Sequence, residues 1–145
     1  MNIADKNSPL GVRGYTFNTS HKKIISDMLT PVSIYLRLRA KFKNCILLES
    51  SDYHGDEHNF SYICFQPIAG FKVEAHNFIA NYPDNSENKI SLNENKLTVC
   101  INNFIQQFSI STIQQLPIIT NGLFGYMTYD VVQYFEDITL DKPTP

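Results

Sequence analysis

Apolar runs of strand length follow one another along this chain with turn signals, not helices, between them. Residues 45–49, 60–65 and 70–76 are three such runs, and Gln66-Pro67 separates the last two. Proline cannot donate to a central ladder, so Pro67 marks a break. Strands that succeed one another this closely predict an α+β fold: a mainly antiparallel, twisted sheet with flanking helices. The length, 145 residues, suits one domain with a core of its own.

The remaining segments fit that frame. Thr and aromatic residues over 14–25 predict a first strand. Thr30-Pro31 reads as a helix start, since Thr caps well and Pro is tolerated at the first helical position. The helix is predicted over 31–43, amphipathic through Val32, Tyr35, Leu36, Leu38 and Phe42. Residues 51–58 are a polar loop. Residues 81–95, rich in Asn and turn formers, predict a surface loop with a short edge hairpin around 89–92. Leu97, Ile101, Phe104, Ile105 and Phe108 form a helical stripe over 94–109, with Asn103, Gln106 and Gln107 as its polar back. A strand over 117–130 is expected to place glycines at close-packing points. A short helix then runs from Asp130 through Val131, Val132, Tyr134 and Phe135.

Composition excludes several classes. Hydrophobic residues make up 43% and charged residues 18%, which rules out wholesale disorder. The net charge is −2 and only three Arg occur, whereas nucleic-acid binding draws on many cations on one face. The densest basic cluster is Arg37, Arg39, Lys41 and Lys43. Apolar runs end after four to five residues, far short of a membrane span. No apolar stretch near the N-terminus resembles a secretory signal. Cys45, Cys64 and Cys100 form no CxxC pair and sit among apolar neighbours, so they read as buried, inert thiols in a reducing cytoplasm.

The densest titratable group is Asp52-Tyr53-His54-Gly55-Asp56-Glu57-His58. It could ligate a metal, but a solvated loop is the simpler reading. No nucleophile elbow and no phosphate-cradling glycine loop occurs. One carboxylate stands out. Glu49 ends an apolar strand and needs a cation or hydrogen-bond donors if it is buried. The partner is either structural or a ligand ammonium, with the Ser50 hydroxyl beside it and aromatic residues such as Phe60 and Tyr62 to pack an amino-acid side chain.

Three segments, in order, resemble the N-terminal region of anthranilate synthase component I, one of the chorismate-utilising enzymes. They are Thr30-Pro31-Val32-Ser33-Ile34-Tyr35-Leu36-Arg37-Leu38, then Leu47-Leu48-Glu49-Ser50, then the long stretch Gly122-Leu123-Phe124-Gly125-Tyr126-Met127-Thr128-Tyr129-Asp130-Val131-Val132-Gln133-Tyr134-Phe135-Glu136. The chain departs from the family at Asn59-Phe60-Ser61, where Arg-Tyr-Ser is common, and at Asn121, Thr128 and Gln133.

The resemblance implies a whole enzyme that converts chorismate to anthranilate and pyruvate in tryptophan biosynthesis. Ammonia comes from glutamine through a partner amidotransferase subunit, component II. Residues 1–145 would be the regulatory N-terminal domain, with no cofactor of its own. Mg2+ and chorismate would be bound by a catalytic domain beyond it. Carried over, Glu49 would hold the ammonium of tryptophan, the feedback inhibitor, with Ser50 close to the ligand and Phe60 near a wall of the site. The implied protein is cytoplasmic, with neither nucleic acid nor membrane as partner. The sister enzyme of the folate branch, aminodeoxychorismate synthase, shares the Gly-x-x-Gly-Tyr-x-x-Tyr-Asp segment. Glu49-Ser50 and the Pro-Val-Ser-x-Tyr helix start favour the tryptophan branch. A stand-alone amino-acid-binding domain without catalysis is the other alternative.

Overall fold

The computed structural model describes residues 14–49, 60–93, 96–110 and 121–138. They fall into two units: His21–Ile68, and the flanking chain up to Ser20 together with that from Ala69 onward. The elements in chain order are β1 (Tyr15–Phe17), α1 (Pro31–Arg39), β2 (Ile46–Glu49), β3 (Ser61–Cys64), β4 (Gly70–Glu74), β5 (Asn77–Asn81), β6 (Glu87–Ser91), α2 (Leu97–Ile105) and β7 (Phe108–Ile110), followed by a 3-10 helix at Tyr129–Tyr134. The class is α+β, as expected. Among the described residues the strands form three small sheets instead of one, and the pair β1–β7 is parallel.

The core lies in the unit that contains β4, β5, β6 and α2. In the three-stranded antiparallel sheet Val73 faces Phe78, Phe78 faces Ile90, and Phe71 faces Ala80. Side chains two residues apart share a sheet face, so these residues make one apolar surface. Leu97, Cys100 and Phe104, at spacings of three and four, come from one face of α2 and are buried with that surface. Phe104 is fully buried. Its ring centroid lies 5.4 Å from that of Phe71 and 5.0 Å from that of Phe108, both edge-on, the arrangement aromatic quadrupoles favour.

Several expectations are corrected. The segment 77–81, with Phe78 and Ala80 fully buried, is a central strand that the sequence reading passed over. A two-residue turn makes it possible: Glu74 pairs with Asn77, and Ala75 and His76 both have positive φ, +47° and +58°. That is the twist of a hairpin turn, made here without glycine. Within the loop expected over 81–95, residues 87–91 form β6, so the strand expected around 89–92 begins earlier; residues 94 and 95 lie outside the described part. The helix expected over 94–109 stops at Ile105, so Phe108 belongs to β7. Ile105 is half exposed, and Gln107, read as part of the polar back, is buried; its Nε2 donates to the Asn103 carbonyl at 3.1 Å.

Of the strand expected over 14–25, Tyr15–Phe17 is regular and pairs with Phe108–Ile110. Of the strand expected over 117–130, residues 121–128 are irregular, and residues 111–120 lie outside the described part. A Cβ built on Gly125 would meet no atom within 4 Å, so this glycine is not at a close-packing point. The short helix after it is present as the 3-10 helix.

In the other unit, α1 starts as read. The Thr30 side chain accepts from the Ser33 N–H at 3.2 Å, and Ser33 Oγ accepts from the Thr30 N–H at 3.1 Å, with Pro31 in the first turn. This reciprocal box satisfies donors that a helix N-terminus leaves orphaned. The helix ends at Arg39, short of residue 43. Lys41 N–H turns back to the Leu38 carbonyl at 2.9 Å, and Asn44 takes φ +55°, which leads the chain into β2.

Candidate functional site

β2 and β3 form an antiparallel ribbon in which Leu47 faces Ile63, Leu48 faces Tyr62 and Glu49 faces Ser61. The register brings Glu49 to one end of the ribbon, beside the start of β3. Ser61 Oγ donates to Glu49 Oε1 at 3.5 Å, a long contact. Phe60 directly precedes Ser61 and is partly exposed. Glu49 and Phe60 are therefore brought to the same end of the ribbon. Ser50, and the acidic and histidine-bearing loop over 51–58, lie outside the described residues.

The premise that Glu49 ends a buried strand is corrected. Ile46 and Leu47 are half-buried, while Leu48 and Glu49 are exposed. An exposed carboxylate keeps its hydration and has no need of an internal cation. Among the described residues no Lys, Arg or His stands within ion-pairing distance of it; the ion pair found there is Lys72–Glu74 at 2.7 Å. The arrangement thus presents an exposed carboxylate with the Ser61 hydroxyl beside it, and Phe60 at the same end of the ribbon. An exposed carboxylate of this kind can accept an ammonium group.

Other features lie elsewhere. A depression of about 560 Å³ is lined by Arg39, Lys41, Phe42, Lys43, Asn44 and Cys45; neither Glu49 nor Phe60 reaches it. All three cysteines are free thiols. Cys100 is buried, as read, but Cys45 and Cys64 are only half-buried. Burial pushes the Cys64 and Cys100 thiols above their ordinary value, and Cys45 nearby raises Cys64 further. Thiols held protonated are poor nucleophiles. Among the described residues no group of three or more His, Cys, Asp or Glu is placed to hold a metal. No helix among them is long and apolar enough to cross a membrane.

The long segment over 122–136 contributes no charged site residue. Its 3-10 helix rests on the core through Val131 and Tyr134, and Tyr134 Oη lies 3.0 Å from His76 Nδ1. Fold and ribbon together define an α+β chain with a solvent-facing carboxylate at a hairpin end. No family model and no solved structure matches the chain.

Two curated proteins do. The chain is 32% identical over 117 residues to anthranilate synthase component 1 of Lactococcus lactis subsp. lactis (strain IL1403), across 81% of this chain and 24% of that protein. It is 29% identical over 126 residues to anthranilate synthase component 1 of Aquifex aeolicus (strain VF5), across 86% of this chain and 25% of that protein. The resemblance carried by the three segments is therefore borne out over most of the chain. The chain spans about a quarter of the length of these curated relatives.

Proposed function

We propose that this chain is the regulatory N-terminal domain of an anthranilate synthase component 1. The observation that carries the reading is similarity to two proteins of that name over more than four-fifths of the chain. The whole enzyme would convert chorismate, with ammonia released from glutamine by a component 2 partner, to anthranilate and pyruvate in the cytoplasm. Chorismate and Mg2+ would be bound by the part of the polypeptide that this chain does not match.

In this reading the ribbon end is one wall of the tryptophan feedback site. Glu49 would accept the ligand ammonium in a charge-assisted hydrogen bond. Ser50 would contact the ligand, and Phe60 would lie against its apolar face. The exposure of the Glu49 carboxylate, with no cation within ion-pairing distance among the described residues, supports the assignment. Feedback requires tryptophan to bind the less active state more tightly; a tenfold preference corresponds to about 1.4 kcal/mol.

The test joins residues 1–145 to the remaining portion of the Lactococcus lactis relative and follows anthranilate formation against tryptophan concentration. Ser50→Phe fills the site and raises the half-inhibitory concentration at least tenfold. Inhibition unchanged by that substitution removes Ser50 from the site. The 145-residue chain alone is expected to form no anthranilate from chorismate, ammonia and Mg2+; turnover by it would overturn the domain assignment.

A further inference from the structure

Asn121-Gly122 is the one Asn-Gly pair in the chain. An asparagine side chain is electrophilic at Cγ, and the nucleophile within reach is the backbone nitrogen of the next residue. Ring closure between the two needs an unhindered nitrogen and a backbone free to turn. Glycine supplies both, because it has no Cβ and reaches φ/ψ regions that other residues avoid. Asn121 and Gly122 are exposed and lie in irregular backbone, so no helix or strand ladder holds the Gly122 N–H. Among the described residues no group accepts a hydrogen bond from it.

The electrophile is engaged by a residue far away in sequence. Thr19 Oγ1 donates to Asn121 Oδ1 at 2.9 Å. A donor on that oxygen draws electron density from Cγ and stabilises the negative charge the oxygen gains when a nucleophile adds. Asn85-Ser86 has the opposite arrangement. Its nucleophile would be the Ser86 nitrogen, but the Ser86 N–H donates to Asp84 Oδ1 at 3.0 Å, and a carboxylate acceptor holds that proton in place. The turn is tied further by the Asn85 N–H on the Tyr82 carbonyl at 2.9 Å and the Tyr82 N–H on the Ser86 carbonyl at 3.0 Å.

We propose that Asn121 is a site of spontaneous covalent modification, its side chain closing on the Gly122 nitrogen with the Thr19 hydroxyl as donor to the reacting carbonyl oxygen. The Gly122 nitrogen gives its proton to a solvent base and forms a bond to Asn121 Cγ. The Cγ–Nδ2 bond breaks, and Nδ2 leaves as ammonia after taking a proton from water. A second water then opens the five-membered imide. Attack at Cγ gives aspartate at position 121; attack at the main-chain carbonyl carbon gives isoaspartate, with the backbone rerouted through the side chain. In total one water is consumed and one ammonia released, nothing is oxidised or reduced, and the net charge of −2 becomes one unit more negative. The reaction needs neither chorismate nor tryptophan.

The test incubates the 145-residue chain in mildly alkaline buffer and follows it by peptide mass spectrometry, ammonia release and isoaspartate-specific enzymatic carboxyl methylation. Acid should accumulate at Asn121 at least tenfold faster than at Asn85, with isoaspartate at the same position. The rate should rise with pH, because the Gly122 nitrogen reacts once deprotonated. Unfolding in urea should narrow the ratio, since it frees the Ser86 N–H and removes the Thr19 donor. Gly122→Ala should slow the reaction at least tenfold. Thr19→Val should slow it at least threefold, and Thr19→Ser, which keeps a hydroxyl, should restore it. Acid formation at Asn121 no faster than at Asn85, or without isoaspartate, overturns the site. A Thr19→Val rate equal to or above that of the wild type, or a ratio unchanged by urea, overturns the part given to Thr19 and the fold.

Discussion

Tyr134 Oη and His76 Nδ1 lie 3.0 Å apart, with their rings edge to face at 6.3 Å. The contact joins a hairpin turn to a 3-10 helix that follows far along the chain. A hydrogen bond of this kind contributes on the order of 0.5–1.5 kcal/mol, and the exposure of His76 favours the low end. Tyr134→Phe keeps the ring and removes the bond. Urea unfolding should show a loss of about 0.5 kcal/mol with an unchanged denaturant slope; no loss would mean that water replaces the contact fully.

The Ala75-His76 turn should be improvable. A residue with a Cβ in the left-handed region costs roughly 1–2 kcal/mol, and Ala75 sits there at φ +47°. Glycine removes that strain, and the added chain entropy returns only about 0.5–1 kcal/mol. Ala75→Gly should therefore raise the melting temperature by a few degrees. A decrease would show that the Asn77 side chain, which donates to the Ala75 carbonyl at 2.7 Å, already relieves the turn.

Thr30→Ala removes the acceptor for the Ser33 N–H. Loss of such a cap costs about 1 kcal/mol. The effect should appear as reduced helical circular dichroism and faster amide exchange over 31–39, with the sheet of β4, β5 and β6 unaffected. Uniform acceleration in both units would show that they unfold together.

Position decides the cost of truncating α2. Phe104 is fully buried and Ile105 is 47% exposed. Phe104→Ala should cost about 3–5 kcal/mol, a large part of the stability of an ordinary domain. Ile105→Ala should stay within about 0.5 kcal/mol. Comparable effects from the two substitutions, measured by chemical unfolding, would contradict the packing described.

Cys100 gives a pH signature. Burial raises its thiol above the ordinary value of 9.0. The folded state therefore holds that proton longer than the unfolded state. Its contribution is fully present below the ordinary value and fades as pH rises through the folded value. Stability should fall more steeply above pH 9 in the wild type than in Cys100→Ala; parallel curves would place the titration elsewhere.

The local features were legible in the sequence because they depend on neighbours. Thr30-Pro31 marked a helix start, since capping and the proline φ act within one turn. Leu97 and Phe104 read as core through helical periodicity, and the run ending at Glu49 read as a strand. The three segments also carried the family resemblance, which needs only order along the chain. The tertiary structure decided what depends on distant partners. Tyr15 pairs with Phe108, a match no local pattern encodes. The turn at Ala75-His76 carried no glycine to announce it, so the most buried strand went unread. The apolar run 45–49 reads as a buried strand ending at Glu49, yet burial is set by what covers a strand, and Leu48 and Glu49 face solvent. That exposure leaves the Glu49 carboxylate open, a condition that composition and spacing alone do not fix.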